Sequence, residues 1–375
     1  MKIIARLLTV TCLWLGCANW VLAAEKPAAH KTKNVIFVMT DGLRWQEVFR
    51  GVEAGLMTKE NGGVADPEGL KKEYGRESEE ERRAALLPFV WGVMAKQGQL
   101  YGNRGRNAEA YVTNGMNFSY PGYSETLCGF PDPRIDSNHK FPNPNRSVLE
   151  WLVGKTEFKG RVAAFGAWEL FPWILNAERS GIPVNAGLTP LTTVPMTPRL
   201  ALLNELKAEL PHVMDEEPPD ALTFHTAVEF LLARKPRVLY ISLGETDEFA
   251  HQGDYTEYLR SAHRVDSYLK ALWEMVQAMP EYRDATALIF SPDHGRGDAP
   301  LGWKDHGQKV PESKYIWMAF LGPDTPALGE RHDIPAVTQS QIAATLAALL
   351  GEDYAGAVKE AGKPIQDVLG KRAEK

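Results

Sequence analysis

The sequence predicts an α/β protein, a three-layer α/β/α sandwich around a mostly parallel sheet, and three observations carry that prediction. Short continuous apolar runs, suited to strands buried on both faces, recur along the chain. Helical stretches alternate with them, as in parallel strands joined by crossover helices. The 375 residues, 44% hydrophobic and 24% charged, suffice to bury a large core.

The first residues read as a targeting segment. Lys2 and Arg6 precede an apolar run that ends in small residues at Val21-Leu22-Ala23. That is the layout of a secretory signal over 1–23, cleaved after Ala23 or Ala24, and it implies a secreted or periplasmic protein. An uncleaved anchor is the alternative. The run is short for a membrane span and no second one follows, so no stable span is expected after cleavage. A lipid attachment at Cys17 is disfavoured by Trp14, where a leucine is expected. Cys12 and Cys17 leave with the signal, which excludes an intrachain disulfide and a thiolate metal site for the remaining Cys128. A net charge of −6 argues against a nucleic-acid-binding surface. Residues 24–375 are expected to form a single domain.

Taken in order, the predicted strands are Val35–Thr40, Gln99–Gly102, Arg161–Phe165, Val238–Leu243, Ala287–Ser291 and Ile316–Leu321. Lys59 to Arg83 is charge-rich and reads as a solvated excursion. Prolines and glycines are frequent from Phe171 to Pro219, which suggests a small cap or insertion over the sheet. Tyr255 to Met279 is the clearest helix: Leu259, Ala262, Val265, Leu269, Leu272 and Val276 recur at steps of three and four, and Pro280 ends it. A second helix follows Thr338, with Thr338 and Gln341 as its capping pair and Gly351 closing it.

Several strands deliver acids and imidazoles. Val35–Thr40 runs straight into Asp41-Gly42. Asp247 and His251 follow Val238–Leu243, Asp293-His294 follow Ala287–Ser291, and His306 precedes "IWMAFLGP". Ligands bind outside the carboxyl ends of strands in open α/β sheets, so these groups share an edge. The Asp247-x-x-x-His251 spacing places both side chains on one face of a helical turn. Carboxylate with imidazole suits zinc, manganese or iron, and two divalent ions about 4 Å apart clamp both oxygens of a phosphoryl displacement. Any one of these pairs alone reads as a salt bridge or a satisfied core histidine. Their joint placement at strand ends argues for a metal site. Ser119, in "NFSYPGYSETLCG", stands before a Pro-Gly turn and a helix expected from Tyr123 to Leu127. A serine there serves either as a turn or cap residue or as a nucleophile. Arg296 and Lys304 read as solvated side chains.

Taken together, these motifs resemble the alkaline phosphatase superfamily, and within it the nucleotide pyrophosphatase/phosphodiesterase branch. Asp41-Gly42, "SYPGYSETLCG", Asp247…His251, Asp293-His294-Gly295 and His306-Gly307 match its motifs in order from residue 34 to about 351. The resemblance implies an alkaline-phosphatase-like fold and two divalent ions, most simply Zn2+ with Mn2+ as the alternative. Asp247, His251 and His306 would hold one ion, and Asp41, Ser119, Asp293 and His294 would surround the other. Asn138 resembles the asparagine that hydrogen-bonds a phosphoryl oxygen. The implied function is metal-dependent hydrolysis of a small-molecule phosphate ester, diester or monoester, through a phosphoserine. The branch commonly has threonine where this chain has Ser119, and Pro121-Gly122-Tyr123 departs from its pattern. The rivals are a phosphoglycerate-mutase-like phosphotransferase and a non-catalytic metal-stabilised binding protein. A sulfatase is disfavoured because "SYPGY" lacks the arginine of the formylglycine signal.

Overall fold

The seven residues of β1 (Asn34–Thr40) are buried throughout and alternate between two cores. Ile36 and Val38 face one, while Val35, Phe37 and Met39 face the other. A strand apolar on both sides belongs in the middle of a covered sheet. The computed structural model describes residues 30–210 and 217–370, so the expected signal over 1–23 lies outside them.

The remaining strands are β2 (Gln99–Tyr101), β3 (Ala110–Tyr111), β4 (Val162–Gly166), β5 (Val184–Ala186), β6 (Val238–Leu243), β7 (Thr286–Pro292), β8 (Tyr315–Ile316), β9 (Met318–Leu321), β10 (Gly329–Glu330) and β11 (Val337–Thr338). Eight of them form one sheet in the order β10-β2-β9-β7-β1-β6-β4-β5, and β11-β3-β8 form a small second sheet. In the large sheet only β9 runs against its neighbours. Helices cover both faces. Tyr255–Ala278 and Asp220–Arg234 pack into the first core, and Ser119–Cys128, Val148–Val153 and Gln341–Leu349 into the second. The mostly parallel three-layer arrangement is therefore present. Among the described residues no helix is long and apolar enough to cross a membrane.

Three local expectations are corrected. The run Ile316–Leu321 is two strands, because Trp317 turns inward, donating its indole N–H to Leu43 O at 2.9 Å and packing edge-on against Phe290. The late helix begins at Gln341, not after Thr338. Gln341 accepts the Thr338 N–H at 2.9 Å, but Thr338 lies in β11 and its side chain caps nothing. Lys59–Arg83 holds three short helices whose Leu70, Tyr74 and Arg83 are buried, so it is only partly a solvated excursion. The stretch 171–219 contributes β5 to the sheet edge and a helix, Pro198–Glu209, beside Asp220–Arg234.

The turn after β1 is fixed by an ion pair that the sequence does not announce. Arg44 and Glu47 are both fully buried. Arg44 Nε donates to Glu47 at 2.9 Å, Arg44 Nη1 donates to Gly297 O at 3.2 Å, and Tyr255 donates to Glu47 at 2.9 Å. Without Glu47 the buried Arg44 keeps, among the described residues, only the partly exposed Glu53 as counter-charge, at 2.8 Å. Glu47→Ala should cost about 3–5 kcal/mol in denaturant unfolding. A loss under about 1 kcal/mol would show that Glu53, 2.8 Å from Arg44 Nη2, suffices as its counter-charge.

Candidate active site

The strand order explains why distant acids meet. β1 lies between β6 and β7 and runs parallel to both, so the three carboxyl ends emerge side by side. Thr40 is level with Leu243 and with Pro292, and the Asp41 N–H donates to Leu243 O at 2.9 Å. Asp41 and Asp293 thus leave neighbouring strands at the same height. Asp247 follows one helical turn later, in the helix Glu245–Gln252, and His306 enters on the loop before β8.

Two groups of ligand atoms converge there, each within 4.8 Å: Asp41, Asp293 and His294, and Asp247, His294 and His306. His294 belongs to both. Its Nδ1–H donates to Gly295 O at 2.9 Å, which directs Nε2 into the site. From Nε2 the nearest carboxylate oxygens are Asp41 Oδ1 at 3.1 Å, Asp293 Oδ2 at 3.4 Å and Asp247 Oδ1 at 4.0 Å. His306 Nδ1 lies 3.2 Å from Asn117 O, and its Nε2 faces Asp247 Oδ1 at 3.6 Å. His251, partly exposed, completes the outer side, 3.2 Å from Asp247 Oδ2 and 3.0 Å from His306 Nε2. The adjacent Asp293 and His294 reach one centre.

The donor set fits divalent cations. Among the described residues Asp41 Oδ1 and Asp293 Oδ2 are buried without a hydrogen-bond partner, although their second oxygens are satisfied by Tyr123 O–H at 2.8 Å and Gly42 N–H at 3.1 Å. Buried carboxylate oxygens are normally paired, and here the two orphans point at the same imidazole nitrogen. Burial and the neighbouring Asp41 push the Asp293 carboxyl well above the usual range. Burial pulls His294 down, but Asp293 and Asp41 outweigh it and push the imidazole up to about 9. Burial would also raise Asp247, but Arg296 and His306 hold it well below the usual range.

Ser119 is the first residue of the helix Ser119–Cys128, not part of a turn before it. Pro121 sits within the first helical turn, where a missing N–H costs nothing. Gly122 is required by contact: a Cβ there would lie 2.4 Å from Asp293 O, so only glycine lets this helix pack onto the ligand strand end. The cap position is Phe118, with no side-chain cap, so Ser119 does not serve as one. Its Oγ lies 3.4 Å from His294 Nε2, among the ligand atoms and at the positive helix end. Asn138 Oδ1 accepts the Tyr120 N–H at 3.0 Å, and Asn138 lines the same small cavity as Ser119 and Asp41. The fixed Oδ1 leaves its amide N–H groups as the donors for a bound oxygen.

Supporting residues escaped the sequence reading. Arg296 is buried, not solvated; it donates to Asp247 and, at 2.9 Å, to Trp303 O. Lys304 is half-buried. Glu125 accepts from Thr113, Asn114 and Ser340, which pins the loop leading to Ser119. Tyr123 bridges Asp41 and Ser242, whose hydroxyl donates to the phenol oxygen at 3.0 Å. Glu217 enters the cavity from a Pro-rich acidic stretch that carries no motif. Arg296 alone had a usable signal, since it lies two residues beyond a ligand on a strand-end loop.

Comparison with known proteins bears on the family and the fold. A profile described as type I phosphodiesterase / nucleotide pyrophosphatase matches residues 52–319. A 2,3-bisphosphoglycerate-independent phosphoglycerate mutase from Haloarcula marismortui is 28% identical over 140 residues, 37% of this chain and 25% of that enzyme, so the match spans a quarter of the relative's length. Among solved structures, a putative sulfatase from Bacteroides thetaiotaomicron superposes with a TM-score of 0.60 at 14% identity, covering 92% of this chain and 76% of the other. The alkaline phosphatase PafA gives 0.58 at 11% identity, covering 92% and 100%. The lipoteichoic acid synthase LtaP from Listeria monocytogenes gives 0.56 at 13%, covering 90% and 75%. At such identities these structures speak for the fold alone. With the family profile covering well over half of its length, the chain belongs to the type I phosphodiesterase / nucleotide pyrophosphatase family.

Proposed function

We propose that this chain is an exported hydrolase of small phosphate esters that acts through Ser119 in a site built for two divalent ions. The observation that carries the reading is the position of Ser119 Oγ, 3.4 Å from the imidazole nitrogen shared by both ligand groups. Asp247, His251 and His306 would hold one ion, and Asp41, Asp293 and His294 with Ser119 the other. Bound there, the pair, most simply zinc, supplies positive charge that favours the ionised hydroxyl and the departing oxygen.

The chain's own groups then have defined tasks. Ser119 Oγ loses its proton to solvent and attacks phosphorus in line. The bond to the leaving alcohol breaks, and the phosphoryl group passes to Ser119. Asn138 donates from its amide to a non-bridging oxygen, where charge grows as the bond breaks. Tyr123 and Gly42 hold Asp41 and Asp293 in place. Water then enters from the opposite side, breaks the serine ester and frees the phosphate product. Arg296 keeps Asp247 ionised and aimed throughout.

Export rests on the targeting segment at 1–23. Purified protein should hydrolyse aryl phosphate esters, lose that activity to a chelator and regain it with zinc. Activity on neither diester nor monoester under any metal would remove the hydrolase reading. The likeness to a mutase favours a second reading, in which an alcohol and not water takes the phosphoryl group from Ser119. Capture of the group by an added alcohol at the expense of free phosphate separates the two.

A further inference from the structure

We infer that Glu125 is a positioning residue for this site: through Asn114 its carboxylate sets the turn over 114–117 that aims His306 and leads into Ser119. The inference rests on the hydrolase reading and adds to it a residue that touches neither the substrate nor an ion.

Glu125 lies less than two turns beyond Ser119 on the helix Ser119–Cys128 and is wholly buried. An interior does not solvate a carboxylate, and burial pushes this one above the usual range. Oε1 accepts from Thr113 Oγ1 at 2.6 Å and from Ser340 Oγ at 2.7 Å. Oε2 accepts from the Asn114 N–H and from Asn114 Nδ2, both at 2.9 Å, and from the Thr113 N–H at 2.9 Å. Among the described residues no Lys or Arg donates to it. Neutral donors from one short loop converge on this acid, which makes it a brace for that loop rather than half of an ion pair.

The loop has a conformation that requires a brace. Gly115 and Asn117 both take the left-handed backbone, at φ 69° and 54°, and a residue with a side chain adopts that region at a cost. Asn114, held by Glu125, closes the turn: its Oδ1 accepts the Met116 N–H at 2.8 Å and the Asn117 N–H at 3.0 Å. The Asn117 carbonyl then stands 3.2 Å from His306 Nδ1. A carbonyl only accepts, so Nδ1 carries the proton and Nε2 is left for an ion. Ser119 follows Asn117 by two residues. One brace thus serves an imidazole of the outer ligand group and the alcohol beside the inner one. Ser340 ties it to the ligand strand as well, since the neighbouring Gln339 donates to Asp293 O at 2.5 Å.

The test is Glu125→Gln, which keeps the side chain's size but turns an amide NH2 towards the donors of the loop. In the metal-loaded enzyme kcat on an aryl phosphate ester should fall about 10–100-fold, with KM changed less than about threefold. Chelator competition should show zinc held about 10–100-fold more weakly at the position of Asp247 and His306. Asn114→Ala cuts the same relay one step later and should reproduce both losses. In the double variant the losses should not multiply, because the second change removes nothing that the first has left. Denaturant unfolding identifies a merely structural role. A lowered unfolding midpoint with kcat and zinc binding unchanged overturns the inference, and so do losses that multiply in the double variant. Should Glu125→Gln not fold, Asn114→Ala decides by the same two readouts, and unchanged values overturn the relay. Should the natural protein hydrolyse no ester, the hydrolase reading fails by itself and zinc binding decides: weakening in both variants supports the relay, and unchanged binding overturns it.

Discussion

Ser119→Ala should reduce phosphate-ester turnover by at least about a thousandfold while leaving the fold unchanged. The activity loss follows from removing the alcohol that stands 3.4 Å from His294 Nε2 at a helix start. The unchanged stability follows from the same geometry. Ser119 caps no helix, and among the described residues its side chain's hydrogen-bonding contact is the 3.4 Å approach to His294. Loss of such a contact should shift unfolding by no more than about 0.5 kcal/mol. Measuring kcat and denaturant unfolding on the same preparation separates these effects. Turnover within tenfold of the natural protein would remove Ser119 as nucleophile. A large stability loss would instead mark it as a structural residue.

The second large effect concerns His294. It is the one side chain common to both ligand groups, fully buried, with Asp41, Asp293 and Asp247 arranged about its Nε2. His294→Ala should therefore remove the Nε2 donor from the ion held with Asp41 and Asp293. Bound zinc should fall from about two per chain to one or less, and kcat/KM should drop by at least about a thousandfold. His251→Ala is the informative contrast. That imidazole is about half-exposed and sits on the outer side of Asp247, so its loss should cost less than that of the buried His294. Equal penalties for the two variants would contradict this ranking of the buried imidazole above the exposed one.

Much of this was readable before any coordinates. The strands β1, β6 and β7 declare themselves because burial on both faces leaves no room for polar residues, so their runs are continuous and end abruptly at Asp41, near Asp247, and at Asp293. Once those strands are parallel neighbours, their acids must share an edge. What could not be read was set by contacts between distant segments. The helix at Ser119 looked like a Pro-Gly turn because local propensity cannot show that Gly122 is there for the close approach of Asp293 O. Arg44 and Arg296 resemble surface arginines in composition, and only the folded chain shows that Glu47 and Asp247 neutralise them in the interior. The split at Trp317 is likewise tertiary, since the indole leaves the strand to reach Leu43 O. Glu217 carries no motif; its meaning comes from the acids around it.

Anomalous diffraction from crystals of the zinc-loaded protein bears most directly on whether two sets of carboxylates and imidazoles grip paired cations next to a serine. Two peaks about 4 Å apart are expected, one flanked by Asp247, His251 and His306, the other by Asp41, Asp293, His294 and Ser119 Oγ. A single peak, or peaks remote from Ser119, would contradict it.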